Sequence, residues 1–203
     1  MKYFLFDIGN VLTNFDFQML LQAYADGSGR PVGPQTDLDD EMYNLVEKGL
    51  MSEPDYVDYL NEAKGLNWTT DNLHLIWQEM FTINTAGKSL YDQAASAGVP
   101  IYTLSNIAHY HVRAIENNWS GFFEPTEGLF MSYEMGVRKP DPRIYEMVLE
   151  RLGVPGEQCF FIDDLAENVE SARGAGIQAH QFIPETYDAI SREAADFFGW
   201  AAS

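Results

Sequence analysis

The sequence predicts an α/β fold, a Rossmann-like parallel sheet flanked by helices, with an all-helical segment inserted after the first strand. Short apolar runs alternate with helical patterns in the second half of the chain, and most of these runs end in polar residues. Strands that alternate with helices imply right-handed crossovers and parallel pairing. By contrast, the stretch from about residue 15 to residue 84 has helical patterns but no obvious strand.

Five apolar runs are predicted to be the strands of the main sheet. The first, Tyr3–Phe6, is continuously apolar and therefore suits a strand that is buried on both faces. In sheets of this kind, ligands bind in the crevice at the carboxyl ends of the strands. The other four runs are Ile101–Leu104, Leu129–Met131, Cys159–Ile162 and Ala179–Ile183.

The clearest helical pattern follows residue 140. Asp141 is predicted to cap a helix whose first position is Pro142, because an aspartate N-cap and a proline at the first turn both favour helix initiation. Apolar residues then recur at helical spacing from Ile144 to Leu152. Gly153 is predicted to end the helix.

Residues 15–84 are predicted to form a small helical bundle, inserted between two parts of one α/β core, residues 1–14 and 85–203. Gly, Pro and Asn cluster between its helical stretches, as expected for loops. We interpret the apolar residues of its last stretch as bundle core rather than as a ligand-binding stripe. The four stretches are Phe17–Tyr24, Leu38–Val46, Tyr56–Ala63 and Leu73–Phe81.

Composition limits the classes of partner. The net charge is −19, from 12 basic and 31 acidic residues, so nucleic acid and anionic membranes would be repelled. A small anionic substrate would then need local positive charge or a metal ion. The single cysteine, Cys159, excludes an internal disulfide and fits a reducing compartment. Because no apolar run reaches the length of a membrane span and no signal peptide precedes the first strand, we expect a cytoplasmic protein.

Polar residues are concentrated at the predicted strand ends and helix starts. The segment DIGNV follows the first strand, TLSN ends the second, RKPDPRIY opens a helix, and FIDDLAEN ends the fourth strand. Carboxyl ends of parallel strands share one edge of a sheet, so Asp7, Ser105 and Asp163 are predicted to meet there. The candidate site residues that the four segments supply are Asp7, Ser105, Asn106, Lys139, Asp163, Asp164 and Asn168.

These four segments resemble, in order, the four motifs of the haloacid dehalogenase superfamily, most of whose members are Mg²⁺-dependent phosphatases. FDIGNV, RKPDPRIY and FIDDLAENVESARGAGI look most like the bacterial α-D-glucose 1-phosphate phosphatase branch. The resemblance covers nearly the whole chain. It implies a sheet order of 5-4-1-2-3, with the helical segment as a cap over the strand ends. It also implies a cofactor, Mg²⁺, and a small phosphorylated metabolite as substrate; we expect a monomer or a weak homodimer.

Phosphoryl transfer explains why these residue types occur together. A phosphate monoester dianion repels nucleophiles, so its site needs one carboxylate held in line and cations around it. Asp7 is the predicted nucleophile, forming an aspartyl-phosphate that water hydrolyses. Lys139 is predicted to offset negative charge during the reaction. Ser105 and the main-chain amide of Asn106 are predicted to donate hydrogen bonds to the transferring phosphoryl group.

The acidic residues predict a magnesium site. Adjacent acids at a strand end repel each other unless a cation neutralises them, and Mg²⁺ prefers oxygen ligands. Asp7 and one or both of Asp163 and Asp164 would supply carboxylates, with Asp164 as the first choice of the pair. The main-chain carbonyl of Gly9 is the expected further ligand. Asn168 is expected to orient Asp164 or the lysine through a hydrogen bond.

Gly9 departs from the commoner pattern, in which an aspartate two residues after the nucleophile protonates the leaving oxygen. Such a general acid typically contributes about 10²- to 10⁴-fold. One explanation is a phosphatase whose leaving group needs little protonation, such as a sugar 1-phosphate, which leaves as a hemiacetal. Alternatively, another acid replaces the missing one, and the candidates are Asp16, His109, His111 and a metal-bound water.

Two other functions stay open at this point. In a 2-haloacid dehalogenase, Asp7 would displace halide without a proton and without Mg²⁺, but the pair Asp163 and Asp164 would then be hard to explain. In a catalytically degenerate member, the site would bind a phosphorylated ligand or a protein partner without turnover. Retention of Asp7, Lys139 and the acidic pair argues against that reading, so the phosphatase of a small phosphate monoester, such as a sugar phosphate, is preferred.

Overall fold

The predicted α/β fold is confirmed by the structure, a computed structural model that describes residues 1–34 and 41–200. These residues contain a five-stranded sheet and a separate two-stranded ribbon. In chain order the strands are β1 (Tyr3–Phe6), β2 (Thr13–Phe15), β3 (Phe81–Ile83), β4 (Ile101–Ser105), β5 (Gly128–Met131), β6 (Cys159–Asp163) and β7 (Gln178–Gln181).

The main sheet has the order β5-β4-β1-β6-β7, and each neighbouring pair is parallel. Read from its other edge and counted over these strands alone, this is the predicted order 5-4-1-2-3; the labels differ because the ribbon adds two strands. β1 is central, and its residues Phe4–Phe6 are 0% exposed, which explains the continuous apolar run. The carboxyl ends of three adjacent strands therefore bring Asp7, Ser105 and Asp163 to one edge.

The ribbon corrects the expectation of a segment without strands between residues 15 and 84. β2 and β3 pair antiparallel, with Thr13 opposite Ile83 and Phe15 opposite Phe81. Each strand has only 3 residues, too few to produce a readable alternation of apolar and polar positions. The chain thus leaves the main sheet and returns to it through two paired strands.

Ten α-helices occur in the described residues. The predicted stretch Leu38–Val46 falls partly outside the described residues, which resume at Glu41. None of the helices that the structure describes combines the length and apolar character needed to cross a membrane. The helices are α1 (Phe17–Ser28), α2 (Glu41–Glu47), α3 (Glu53–Lys64), α4 (Thr70–Met80), α5 (Thr85–Ser96), α6 (His109–Asn118), α7 (Ser132–Met135), α8 (Pro142–Leu152), α9 (Ala166–Gly174) and α10 (Tyr187–Phe198).

Side chains of the central strand enter two separate apolar cores. Phe4 and Phe6 belong to the larger core, which extends through α5 and α6 into helices α1–α4. Leu5 points to the opposite face, as alternation along a strand requires, and packs with residues of α8 and α9. The larger core therefore joins the main sheet to the helices between the two ribbon strands.

Gly87 sets how closely α5 approaches the loop after β1. A Cβ atom at this position would lie 1.7 Å from the carbonyl oxygen of Val11. We expect Gly87→Ala to lower the free energy of unfolding by about 2–3 kcal/mol, because backbone must move to admit the methyl group. Urea denaturation monitored by circular dichroism measures the change.

Gly174, at the end of α9, is a matched control for this substitution. A Cβ atom there meets nothing within 4 Å. We expect Gly174→Ala to leave the urea midpoint unchanged or to raise it slightly, since alanine is the better helix former. Equal midpoints for Gly87→Ala and Gly174→Ala would contradict the close packing of α5.

Candidate active site

Asp7 lies directly after the central strand and is almost fully buried. Its Oδ1 accepts a hydrogen bond from the Ile8 N–H at 2.7 Å and lies 2.9 Å from Lys139 Nζ. Oδ2 forms no hydrogen bond with any residue in the described part of the chain. Burial raises the pKa of Asp7 to about 7; Lys139 opposes this shift, whereas Asp163 and Asp164 add to it. Oδ1 is therefore held in place by Ile8 and Lys139, whereas Oδ2 is available to contact a ligand in the cavity.

Lys139 is buried among hydrogen-bond acceptors. Its Nζ donates to the Leu104 carbonyl oxygen at 2.9 Å and to Asp163 Oδ2 at 2.5 Å, in addition to its contact with Asp7. Burial on its own would lower the pKa of Lys139, but the carboxylates of Asp163 and Asp7 raise it above its usual value. The ammonium group is therefore charged and held between two acids.

The loop that carries Lys139 is tied to the end of β4. Asn106 Nδ2 donates to the Lys139 carbonyl oxygen at 2.8 Å, and the Lys139 N–H donates to Asn106 Oδ1 at 2.8 Å. The sequence assigned a role only to the main-chain amide of Asn106, so this contribution of its side chain was missed. The preceding residue, Ser105, is 2% exposed.

The two adjacent aspartates occupy different environments. Asp163 is fully buried, and its Oδ1 accepts hydrogen bonds from the Leu165 N–H and from Asn168 Nδ2 at 2.9 and 2.8 Å. Asp164 is partly exposed, and its Oδ2 accepts a hydrogen bond from Asn10 Nδ2 at 2.9 Å. Asn168 therefore holds Asp163, rather than Asp164 or the lysine as expected.

The acidic residues fit a divalent cation. Asp7, Asp163 and Asp164 each offer one carboxylate oxygen, and these atoms all lie within 4.8 Å of one another. Three carboxylates beside one ammonium group leave an excess of negative charge that a cation would neutralise. Oxygen donors are those that Mg²⁺ prefers.

A cavity of about 740 Å³ opens over this edge of the sheet. The predicted site residue Asp163 does not line it, in keeping with its full burial. The other predicted site residues all contribute to the lining: Asp7, Gly9, Ser105, Asn106, Lys139, Asp164 and Asn168.

The same cavity has an aromatic wall, formed by Phe15, Phe17, Trp77 and Phe81. The ring of Trp77 lies 6.4, 6.3 and 5.8 Å from those of Phe15, Phe17 and Phe81, respectively. The interpretation of the last helical stretch as bundle core was therefore incomplete. Trp77 and Phe81 are buried, but they also face the site.

Phe15 takes up the space beside Gly9. A Cβ atom at position 9 would lie 2.7 Å from Phe15 Cε1, closer than side-chain contacts allow. The ring of Phe15 is itself packed edge-on against Phe17 and Phe81, at 4.9 and 6.3 Å between centroids. Glycine therefore fits at position 9, because the ring of Phe15 leaves no room there for a Cβ atom.

Two candidates for a replacement acid lie outside the cavity lining. Asp16 caps α1, where its side chain accepts a hydrogen bond from the Gln18 N–H at 2.8 Å. His109 is 57% exposed at its side chain and lies 3.5 Å from Glu53. Their positions give neither residue access to a leaving group in the cavity.

His111 does line the cavity and is 2% exposed. The Ala108 N–H donates to its Nδ1 at 3.1 Å, which assigns the ring proton to Nε2. Burial lowers the pKa of His111 well below its usual range, so the ring is neutral at neutral pH. Nε2 has no hydrogen-bond partner within residues 1–34 and 41–200. A neutral imidazole can donate a hydrogen bond there but is a poor proton donor.

An ion pair between buried Glu47 and partly exposed Arg138 also lines the cavity and was missed from the sequence. Glu47 is 4% exposed, and its Oε2 lies 2.6 Å from Arg138 Nη2. Burial raises the pKa of Glu47, while Arg138 and a hydrogen bond from Tyr43 oppose the rise. Ser132 Oγ donates to the Glu47 carbonyl oxygen at 2.5 Å.

The family model of the haloacid dehalogenase-like hydrolases matches residues 1–176. The chain belongs to this family. The hydrolase is 27% identical over 204 residues to drimenol cyclase drtB of Aspergillus calidoustus, a match that covers 95% of the chain and 36% of that protein. The chain spans less than half of the length of the first curated relatives that it matches.

Other relatives of the hydrolase match it along most of both chains. It is 24% identical to D-ribitol-5-phosphate phosphatase of Bacteroides thetaiotaomicron, over 89% of the chain and 91% of that protein. A HAD family enzyme from the same species, solved as a magnesium complex, has a TM-score of 0.79 and 25% identity, covering 90% of the chain and 93% of the other.

Proposed function

We propose that this hydrolase is a Mg²⁺-dependent phosphatase that cleaves a small phosphate monoester through an aspartyl-phosphate on Asp7. The observation that carries the proposal is the placement of Asp7 on the floor of the cavity. Its Oδ1 is fixed by Ile8 and Lys139, while Oδ2 makes no hydrogen bond within the described residues. A carboxylate held in this way presents one oxygen to phosphorus at little entropic cost.

The proposed reaction has two steps. Asp7 Oδ2 attacks phosphorus, the bond to the ester oxygen breaks, and the leaving group departs with that electron pair. Water then attacks the phosphorus of the aspartyl-phosphate, which releases inorganic phosphate and restores the carboxylate. Lys139 offsets the negative charge that develops, and the Ser105 hydroxyl and the Asn106 main-chain N–H donate hydrogen bonds to the phosphoryl oxygens.

Asp7, Asp164 and the main-chain carbonyl of Gly9 are the proposed metal ligands. When bound, Mg²⁺ supplies positive charge that neutralises the phosphoryl oxygens and favours the ionised carboxylates. Asp163 accepts hydrogen bonds from three protein donors, so we assign it to positioning Lys139, with Asn168 holding Asp163 in turn. The carboxylate cluster and the magnesium complex of the Bacteroides enzyme support this proposal.

The helices between the ribbon strands are proposed to act as a cap. In this division residues 1–14 and 85–203 form the α/β core and residues 15–84 form the cap. Support comes from the cavity, whose lining combines strand-end residues such as Asp7 with Trp77 of α4. A closed cap would exclude water from the first step.

We propose a sugar phosphate as the class of substrate. The D-ribitol-5-phosphate phosphatase similarity supports it, as does the absence of an acid at Gly9, which a hemiacetal leaving group tolerates. We also propose that the partner is a small phosphorylated metabolite, that the protein is cytoplasmic, and that it is a monomer or a weak homodimer.

A substrate panel tests the proposed function. The protein is incubated with phosphorylated metabolites and with a 2-haloacid, each with Mg²⁺ and with a chelator. We expect inorganic phosphate to be released with Mg²⁺, and the rate to fall by about 10²-fold or more in the chelator because the phosphoryl charge is no longer neutralised.

The same panel separates the alternatives. Halide release that survives the chelator would identify a dehalogenase and contradict the proposal. A metabolite that raises the melting temperature without turnover would identify a binding protein instead. Inorganic phosphate, which needs no turnover to bind, serves as the control ligand for the melting measurement.

A further inference from the structure

We infer that the site is built for an ester whose alcohol is flat and apolar and leaves without a proton from the protein, as in an aryl or enol phosphate. This inference rests on the proposed phosphatase function: it keeps a small phosphate monoester as substrate but replaces the sugar proposed above by a flat apolar alcohol. It combines the ring of Phe15 beside Gly9, the aromatic wall, and the state of the titratable groups that line the cavity.

An aromatic ring borders the place where related enzymes carry the general acid. A Cβ atom at position 9 would lie 2.7 Å from Phe15 Cε1, so an aromatic edge borders the position two residues after Asp7. The ring cannot turn aside freely, because Phe17, Trp77 and Phe81 surround it. An acid is therefore replaced by an apolar surface, not by solvent.

The other titratable groups near the cavity are poorly suited to protonate a leaving group. Asp16 and His109 do not line the cavity, and His111 is a neutral ring. Glu47 lines the cavity, where burial raises its pKa, but its Oε2 lies 2.6 Å from Arg138 Nη2; the Glu47→Gln variant below tests whether it supplies a proton. Of the remaining acidic and phenolic groups in the described lining, Asp7 and Asp164 serve the phosphoryl end, burial raises the pKa of Tyr43 well above its usual value, and Glu41 is solvent-exposed.

With no such donor identified among the described lining residues, we assign a leaving group that is stable as an anion. When the bond from phosphorus to the ester oxygen breaks, the oxygen keeps the electron pair and takes its proton later from water. A phenol, with a pKa of about 10 as in tyrosine, permits this, whereas an alkyl alcohol without a general acid reacts about 10²- to 10⁴-fold more slowly. Enols share this property with phenols.

The shape and polarity of the aromatic wall favour a flat apolar alcohol. The wall of Phe15, Phe17, Trp77 and Phe81 offers ring faces and edges that pack well against a flat apolar group. The four rings offer a polyhydroxylated chain no replacement for its hydrogen bonds to water; such a chain would have to reach polar lining residues such as Tyr43, Asn44 and Arg138 instead. His111 Nε2–H, which lacks a partner among the described residues, can donate one hydrogen bond to an oxygen of such a group.

Four monoesters separate leaving-group acidity from shape: phenyl phosphate, benzyl phosphate, α-D-glucose 1-phosphate and glycerol 3-phosphate. Phenyl and benzyl phosphate share the ring but differ in leaving group. We expect phenyl phosphate to have the highest kcat/KM, about 10²-fold above glycerol 3-phosphate. Benzyl phosphate is expected to match its KM but to have a lower kcat. A kcat/KM for glucose 1-phosphate above that for phenyl phosphate would overturn the inference and leave the phosphatase proposal intact.

Variants of the wall make the test specific to this site. Phe15→Ala is expected to raise KM for phenyl and benzyl phosphate about tenfold, with a smaller change for glucose 1-phosphate. Phe197→Ala, which removes a ring of α10 outside the cavity lining, is the matched control and should leave all four KM values unchanged. Equal effects of the two substitutions would contradict the proposed wall.

The double variant Gly9→Asp/Phe15→Ala restores an acid in the vacated space. We expect it to raise kcat for benzyl phosphate at least about tenfold relative to Phe15→Ala, with little change for phenyl phosphate. Glu47→Gln is expected to leave the ratio of phenyl to benzyl kcat unchanged. A selective loss of benzyl turnover in Glu47→Gln would show that Glu47 supplies the proton, and the inference would fail. If none of the four esters is hydrolysed, the phosphatase proposal itself fails.

Discussion

Asp7→Asn is expected to lower kcat for phosphate release by about 10⁴-fold or more, because the amide cannot form the covalent intermediate. The fold should persist, since the asparagine side-chain oxygen can still accept the Ile8 N–H. Burial already raises the pKa of Asp7 to about 7, so replacing a carboxylate there by a neutral amide removes a charge that the interior disfavours. Phosphate release, measured with Mg²⁺ in excess, reports the change.

Two further measurements make this prediction specific. Intact-mass analysis after an acid quench should detect a phosphorylated chain in the wild type and not in Asp7→Asn. Asp141→Asn is the matched control, because Asp141 is outside the cavity lining and an asparagine can still cap α8. A quenched Asp7→Asn sample that still carried phosphate would contradict the assigned nucleophile.

Lys139→Met is expected to abolish activity and also to lower the free energy of unfolding by about 3–5 kcal/mol. The methionine side chain fills similar space but leaves the carboxylates of Asp7 and Asp163 buried without their cation. It also leaves the Leu104 carbonyl oxygen without its donor. Urea denaturation measures the stability, and phosphate release measures the activity.

Lys88→Met is the control for the loss of a lysine. Lys88 forms an ion pair with Asp92 one helical turn away, at 2.5 Å, on the surface of α5. Pairs of this kind contribute about 0–1 kcal/mol, so only a small change is expected. Similar losses of stability in Lys139→Met and Lys88→Met would contradict the view that Lys139 neutralises a buried acidic cluster.

The main sheet and the floor of the site were predictable because both depend on local rules. A continuous apolar run such as Tyr3–Phe6 predicts a buried central strand, and strand ends converge by topology alone. These rules predict that Asp7, Ser105 and Asp163 lie together, whereas the place of Lys139 beside them was implied by the family resemblance. The different roles of Asp163 and Asp164 were not predictable. Successive residues of an extended chain point to opposite sides, and adjacency in sequence does not say which of the two faces the cavity.

The upper part of the cavity could not be predicted because it depends on tertiary packing. Charged residues are rarely buried, so no sequence pattern marks Glu47 and Arg138 as lining residues of a cavity. Nothing in the sequence places Phe15 against Gly9, since that contact depends on the turn between β1 and β2. His111 gave a weak signal, because it shares a buried stripe of α6 with Ala114 and Ile115.

The β2–β3 ribbon makes the leaving-group pocket dependent on the completion of folding. Phe15 and Phe81 sit opposite each other on its two strands, yet most of the helical segment separates them along the chain. The wall that they form has no local precursor, so it can appear only after a long loop has closed. A partial opening that unpairs the ribbon would leave the sheet and Asp7 in place while it erased the surface that recognises the alcohol.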